Sequence, residues 1–144
     1  MKSTAHLLLV LFRFIAAHEY GESSFQVQDY IAGSTPHSSD GYADLNFGFS
    51  PDSSPSTCHA EVPSYQVFPS VPWTTCSDYR TAFALTKTSD GGAELQLSYQ
   101  TGPGSYTNGT HKIAPDEIIW INQDSPNGKV QVYVGPPNFS VNEE

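Results

Sequence analysis

Tyr79-Arg80-Thr81-Ala82-Phe83-Ala84-Leu85-Thr86-Lys87-Thr88-Ser89-Asp90-Gly91-Gly92-Ala93-Glu94-Leu95-Gln96-Leu97-Ser98-Tyr99-Gln100-Thr101 decides the fold class. Phe83 and Leu85 fall on one period-two stripe, and Leu95, Leu97 and Tyr99 fall on another. Alternation of this kind places one face of a strand against a core and leaves the other wet. Between the stripes lies Asp90-Gly91, a pair tolerant of positive φ. The segment therefore reads as two antiparallel strands, 79–88 and 93–101, joined by a tight turn.

The same pattern recurs outward in both directions. Phe25, Val27, Asp29 and Ile31 make one stripe, and Leu45, Phe47 and Phe49 make a second. Further along come the apolar run Ile118–Ile121 and then Val130, Val132 and Val134. Asp40-Gly41, Asn108-Gly109 and Asn127-Gly128 offer further hairpin turns, the last joining 117–122 with 129–135. No long segment carries apolar residues at helical spacing. Strands about ten residues apart without crossover helices predict an all-β fold, an antiparallel sandwich or barrel of six to eight strands. With inner stripes of only three side chains, aromatic residues are expected to supply much of the core, Trp120 among them.

The first seventeen residues read differently. Lys2 precedes an apolar stretch from Ala5 to Ala17, interrupted by Arg13 and closed by Ala16-Ala17. That order of charge, apolar core and small residues predicts a secretory signal peptide over 1–17, with an ordinary buried helix as the alternative. The stretch falls short of the roughly 20 apolar residues that span a bilayer. A single secreted, extracellular domain over 18–144 is expected. Loss of Lys2 and Arg13 leaves four basic side chains against fifteen acidic ones, a formal charge near −11. Such acidity disfavours nucleic acid and anionic membrane surfaces as partners.

Cys58 and Cys76 are the only cysteines, and export predicts that they form one disulfide. Closing that loop constrains the unfolded chain by roughly 3 kcal/mol. The enclosed segment contains Pro63, Pro69 and Pro72 and is expected to be an irregular excursion. The loops Ser34–Ser39 and Ser50–Thr57, rich in Ser, Pro and Asp, read as solvated connections.

Catalytic chemistry leaves little trace. His18, His37, His59 and His111 lie in no recognisable triad setting, and no Gly-x-Ser-x-Gly elbow is present. Asp116 and Glu117 are adjacent, and strand neighbours point to opposite faces unless Pro115 bends the chain. Zinc and EF-hand spacings are absent, with the loop carboxylates Asp40, Asp44 and Asp52 the remaining calcium candidates. No catalytic residue, metal site or cofactor is assigned. Asn108-Gly109-Thr110 and Asn138-Phe139-Ser140 are N-glycosylation sequons, the first placed in its expected turn. Recognition falls to loop-associated aromatic residues, Trp73 and Tyr65 beside the disulfide and Tyr106 near a hairpin, whose planar rings stack on sugars or anchor protein partners.

Four segments carry a family resemblance: Phe25-Gln26-Val27-Gln28-Asp29-Tyr30, Asn46-Phe47-Gly48-Phe49, the Cys58 and Cys76 pair, and Tyr133-Val134-Gly135-Pro136-Pro137-Asn138-Phe139. Over about residues 24–141 the chain resembles small secreted fungal proteins with an AA1-like domain, related to the Alternaria major allergen and to hypersensitive-response-inducing proteins. The resemblance implies a compact β-sandwich or barrel without known catalytic residues, some members acting as effectors or elicitors at the plant surface. The leading expectation is a non-enzymatic secreted protein that binds a host protein or a cell-wall polysaccharide. A carbohydrate-active enzyme or carbohydrate-binding module, and an inhibitor of a secreted enzyme, are the alternatives.

Overall fold

The computed structural model describes residues 23–122 and 128–144. The signal-peptide reading of 1–17, His18 and Asn127 lie outside those residues. The first half of the described chain holds β1 (Ser24–Ser34), β2 (Asp40–Ser50), β3 (Ser56–Pro63), β4 (Val71–Thr75) and β5 (Thr81–Lys87). The second half holds β6 (Ala93–Gly102), β7 (Ser105–Ile113), β8 (Ile118–Asn122), β9 (Lys129–Tyr133) and β10 (Phe139–Asn142), with one 3-10 turn at Pro115–Glu117. All pairings are antiparallel, in a six-stranded sheet ordered β3-β2-β1-β9-β8 with β10 also on β1, and a four-stranded sheet ordered β4-β5-β6-β7. The fold is the all-β antiparallel sandwich that the alternation predicts. The described strands number ten because the proline-bearing segment supplies β4 and the stretch after Asn138 supplies β10, both too short to show a stripe.

One extra residue organises the large sheet. Phe25 and Val27 face the core, but the register slips between Gln28 and Ile31, with Asp29 at φ 57°. Such a bulge inverts the alternation that follows it. Tyr30 and Ala32 therefore turn inward while Ile31 is exposed, which corrects the stripe that grouped Asp29 and Ile31 with Phe25. Before the bulge β1 pairs with β10, and after it with β9 at Gly33. The bulge amides are satisfied from the β9–β10 connection: Asp29 N–H donates to Asn138 Oδ1 at 3.0 Å and Tyr30 N–H to Pro137 O at 2.9 Å.

Both lateral openings of the sandwich are closed. On one side the Cys58–Cys76 disulfide ties β3 to the residue following β4, and Ser77 N–H donates to Thr57 O at 2.8 Å. On the other, Gly109 of β7 bridges to Glu143, and Glu144 N–H donates to Asn108 O at 2.8 Å. Between the sheets lie Phe25, Phe47, Phe49, Phe68, Phe83, Tyr30 and Tyr99, all buried. Phe49 links two of them, with ring centroids 4.9 Å from Phe25 and 5.5 Å from Tyr99. Each such ring contributes about 1.5–3 kcal/mol relative to leaving it exposed.

Two expected turns move. Asn108-Gly109 lies inside β7, and the β6–β7 hairpin turns instead at Pro103-Gly104, where Gly104 takes φ 69°. Gly109 serves close packing, since a Cβ there would meet the Phe25 ring and Asn142 O at 2.9 Å. Asp40-Gly41 begins β2, and the positive φ of that connection falls on His37. Asp90-Gly91 turns as expected, with Gly91 at φ 90°. Trp120 is exposed rather than buried, because β8 is an edge strand lying beyond β9, and Lys129 Nζ sits 4.8 Å above its ring. No helix among the described residues is long and apolar enough to cross a membrane. The Cys58–Cys76 disulfide is consistent with the extracellular expectation.

Candidate functional site

Tight inner packing of the four-stranded sheet creates an open aromatic face on its outside. Phe83, Leu85, Leu95 and Leu97 point inward and are fully buried, so the alternate positions of β5 and β6 point out. Those outward positions are small where the two strands cross the middle: Ala82 pairs with Ser98, and Ser98 pairs with Asn108 of β7. Large rings stand at the two margins. Trp73 rises from β4 at 53 % exposure and Tyr106 from β7 at 62 %. Trp73, Ala82, Ser98, Tyr106 and Asn108 together line one shallow depression of about 390 Å3.

The margins are fixed by local chemistry. On β4, Val71 is buried and a register irregularity between Val71 and Thr74 accommodates Pro72. Thr74 Oγ1 donates to Pro72 O at 2.8 Å, which restrains the backbone on either side of Trp73. On β7, the backbone around Asn108 is held by β6 on one side and by Glu143-Glu144 on the other. Beside Tyr106 lies a second depression lined by Tyr79, Arg80, Tyr99 and Gln100. Here Arg80 donates twice to Asp78, from Nε at 3.2 Å and Nη2 at 2.9 Å, and its guanidinium lies 5.5 Å from the Tyr99 ring centroid. The hydrogen bonds from Arg80 hold the Asp78 carboxyl below the usual range.

The structure thus brings Trp73 and Tyr106 together and leaves Tyr65 apart. Tyr65 is 72 % exposed in the β3–β4 connection and borders a different depression with His37, Ser38, Ser39 and Gln66. Of the sequon residues, Asn108 joins the aromatic face, whereas Asn138 sits at the β1 bulge. Ala82 and Ser98 escape a sequence reading because small residues carry no signal alone; they matter as the floor between two rings.

The histidines are dispersed. His59 pairs with Asp44 on the outer face of the large sheet, and that hydrogen bond raises its pKa. His111 stacks on Phe139 with centroids 3.9 Å apart, and burial lowers its pKa. Among the described residues its buried Nε2 meets no hydrogen-bond partner, nor does Tyr30 Oη, where burial pushes the phenol well up. Pro115 opens the 3-10 turn, and Glu117 Oε1 accepts from Ala114 N–H at 2.9 Å in a capping role. Asp40 accepts from Ser38, Asp44 is engaged by His59, and Asp52 lies exposed in the β2–β3 loop. Among the described residues no group of three His, Cys, Asp or Glu side chains is placed to hold a metal ion. No protein-family model matches the chain, and no curated protein matches its sequence significantly.

Proposed function

We propose that this chain is a non-enzymatic, secreted binding protein that holds a neutral cell-wall polysaccharide on the outer face of its four-stranded sheet. The observation behind the reading is the placement of Trp73 and Tyr106 on opposite edge strands, exposed on one face across the floor of Ala82 and Ser98. A pyranose presents apolar C–H groups on its flat faces, and these pack against aromatic rings. Ser98 adds a hydroxyl for the equatorial oxygens. An open face suits a polymer, which enters from the side and leaves at both ends. The acidity of the chain argues for a neutral polymer over a polyuronate, which would be repelled. AA1-like kinship and an effector or elicitor role belong to the same proposal and rest on the four resembling segments.

The test is a titration with soluble β-glucan and chito-oligosaccharides, read by tryptophan fluorescence in a Trp120→Phe background. A saturable change in Trp73 emission that Tyr106→Ala abolishes supports the proposal. No change with any neutral saccharide overturns it.

A second reading has its own observation. Ser64 N–H and Tyr65 N–H both donate to Ser39 O, at 2.9 and 3.1 Å, and Val67 N–H donates to Ser64 O at 3.0 Å. This loop presents Tyr65 within the disulfide-bounded segment in a preorganised form, which lowers the entropy lost on docking to a host protein or a secreted enzyme. Under that reading Tyr65→Ala, and not Trp73→Ala, loses the partner in a pull-down with host extracellular proteins.

A further inference from the structure

Tyr106, Asn108 and Thr110 occupy alternate positions of β7, so all three stand on the outer face of the sheet. The sequon Asn108-Gly109-Thr110 is therefore set within the aromatic face, with Asn108 a wall of the depression that Trp73 and Tyr106 frame. We infer that Asn108 carries an N-linked glycan whose first N-acetylglucosamine packs on the Tyr106 ring, and that this glycan controls access to the Trp73–Tyr106 face. The inference rests on the secreted, sugar-stacking reading above.

Strand geometry supplies the fit. Residues two apart on a strand face are about 7 Å apart, a span that a pyranose linked to Asn108 Nδ2 bridges toward Tyr106. The ring is exposed, and covering it with the C–H face of a sugar removes apolar area from water. Asn138 lacks this arrangement. Pro136 stands two residues before it, and its own Oδ1 is engaged by Asp29 N–H.

The same geometry fixes when the transfer happens. In the folded protein Asn108 is clamped between Ser98 on β6 and Glu143-Glu144, so a transferase that needs a free extended acceptor reaches it before β7 is enclosed. The donor is a lipid-pyrophosphate-linked oligosaccharide. Asn108 Nδ2 attacks the sugar C1, a C1–N bond forms, the C1–O bond to pyrophosphate breaks, and the amide loses one proton as the lipid pyrophosphate departs.

The experiment uses the full chain secreted from a eukaryotic host, in the Trp120→Phe background so that fluorescence reports Trp73. Glycopeptide mass spectrometry reads occupancy of Asn108, and acrylamide quenching reads solvent access to Trp73. Thr110→Val destroys the sequon while exchanging only a hydroxyl for a methyl, and Asn108→Gln provides an independent glycan-free protein. Asn108 should be occupied in the parent, and quenching should rise about twofold in both variants as the indole regains solvent contact. An unmodified Asn108 in the secreted protein, or quenching that is equal with and without glycan, overturns the inference. Polysaccharide titration of Thr110→Val separates the two proposals. No saccharide binding together with a glycan-shielded Trp73 sinks the polysaccharide reading alone. Equal saccharide binding by parent and variant sinks the control of access alone.

Discussion

The outer faces of the two sheets rest on one core yet are dressed in opposite chemistry. On the six-stranded sheet, Tyr42 pairs with Glu61, Asp44 with His59 and Asn46 with Thr57, and Asn46 reaches Asp29 at the bulge. Polar and charged groups there answer one another across β2 and β3, beside the exposed Ile31 of β1. On the four-stranded sheet the charged pair Glu94 and Lys112 is confined to one end, and the middle is Ala82 and Ser98 between two exposed rings. Both sheets turn Phe and Leu side chains inward, so the core does not require this difference. A surface whose polar groups pair internally is finished in the monomer, whereas exposed rings over a small-residue floor have packing left to give.

The largest expected effect tests whether the two faces share one cooperative unit. Phe25 contacts Phe47 and Phe49 and packs beneath Gly109, so Phe25→Ala should lower stability by about 3–5 kcal/mol in urea unfolding. Two separate transitions, one for each sheet, would break the comparison. Next comes the staple beside β4. Replacing both Cys58 and Cys76 with Ala should lower stability by about 3 kcal/mol and shift the denaturation midpoint without changing the far-ultraviolet spectrum.

The comparison sharpens with substitutions that leave the fold alone. Tyr106→Ala should abolish the saccharide response of Trp73 while changing stability by less than about 0.5 kcal/mol, and Asp44→Ala should leave that response intact. A loss of binding in Asp44→Ala would move the site to the wrong sheet. The smallest effects are in pH dependence. His59 has a folded pKa above 6.5, so its contribution is present below that pH and fades as pH rises through the folded value. Its exposure limits the effect to about 0.5 kcal/mol or less. His111 has a folded pKa below 6.5, so its contribution is present above that pH and is lost as pH falls through the folded value. Histidine resonances followed by NMR should move apart in those two directions, and Asp44→Ala should return only His59 toward its ordinary value.

How much the residues disclose differs by scale. The hairpin of β5 and β6 is legible because Leu95, Leu97 and Tyr99 alternate without a fault and Gly91 supplies the turn. The disulfide is legible because the chain holds two cysteines, each with one possible partner. Beyond Asp29 the stripe misleads, because a single inserted residue inverts the faces without altering composition. Asn108-Gly109 misleads because glycine answers two needs, positive φ and close approach, and here it meets the second. Trp120 misleads because an apolar run does not say whether its strand lies over the core or past the edge. The aromatic face is the least legible feature. Trp73 and Tyr106 meet only through the register of four strands, so each ring could be singled out as a candidate but not the pairing.

The divided partnership of β1 bears on the order in which the molecule assembles. The pairs within the four-stranded sheet join strands that follow one another along the chain, so each forms by closing a short loop. β1 acquires β2 at once, but its other side waits for β9 and β10, more than a hundred residues later for the Ser24–Asn142 pair. Until then the nascent chain carries an unsatisfied ribbon edge beside Phe25 and Val27, open to capture by another copy. The slow and aggregation-sensitive interval of biogenesis therefore belongs to the large sheet, and closing β1 is the event that ends it.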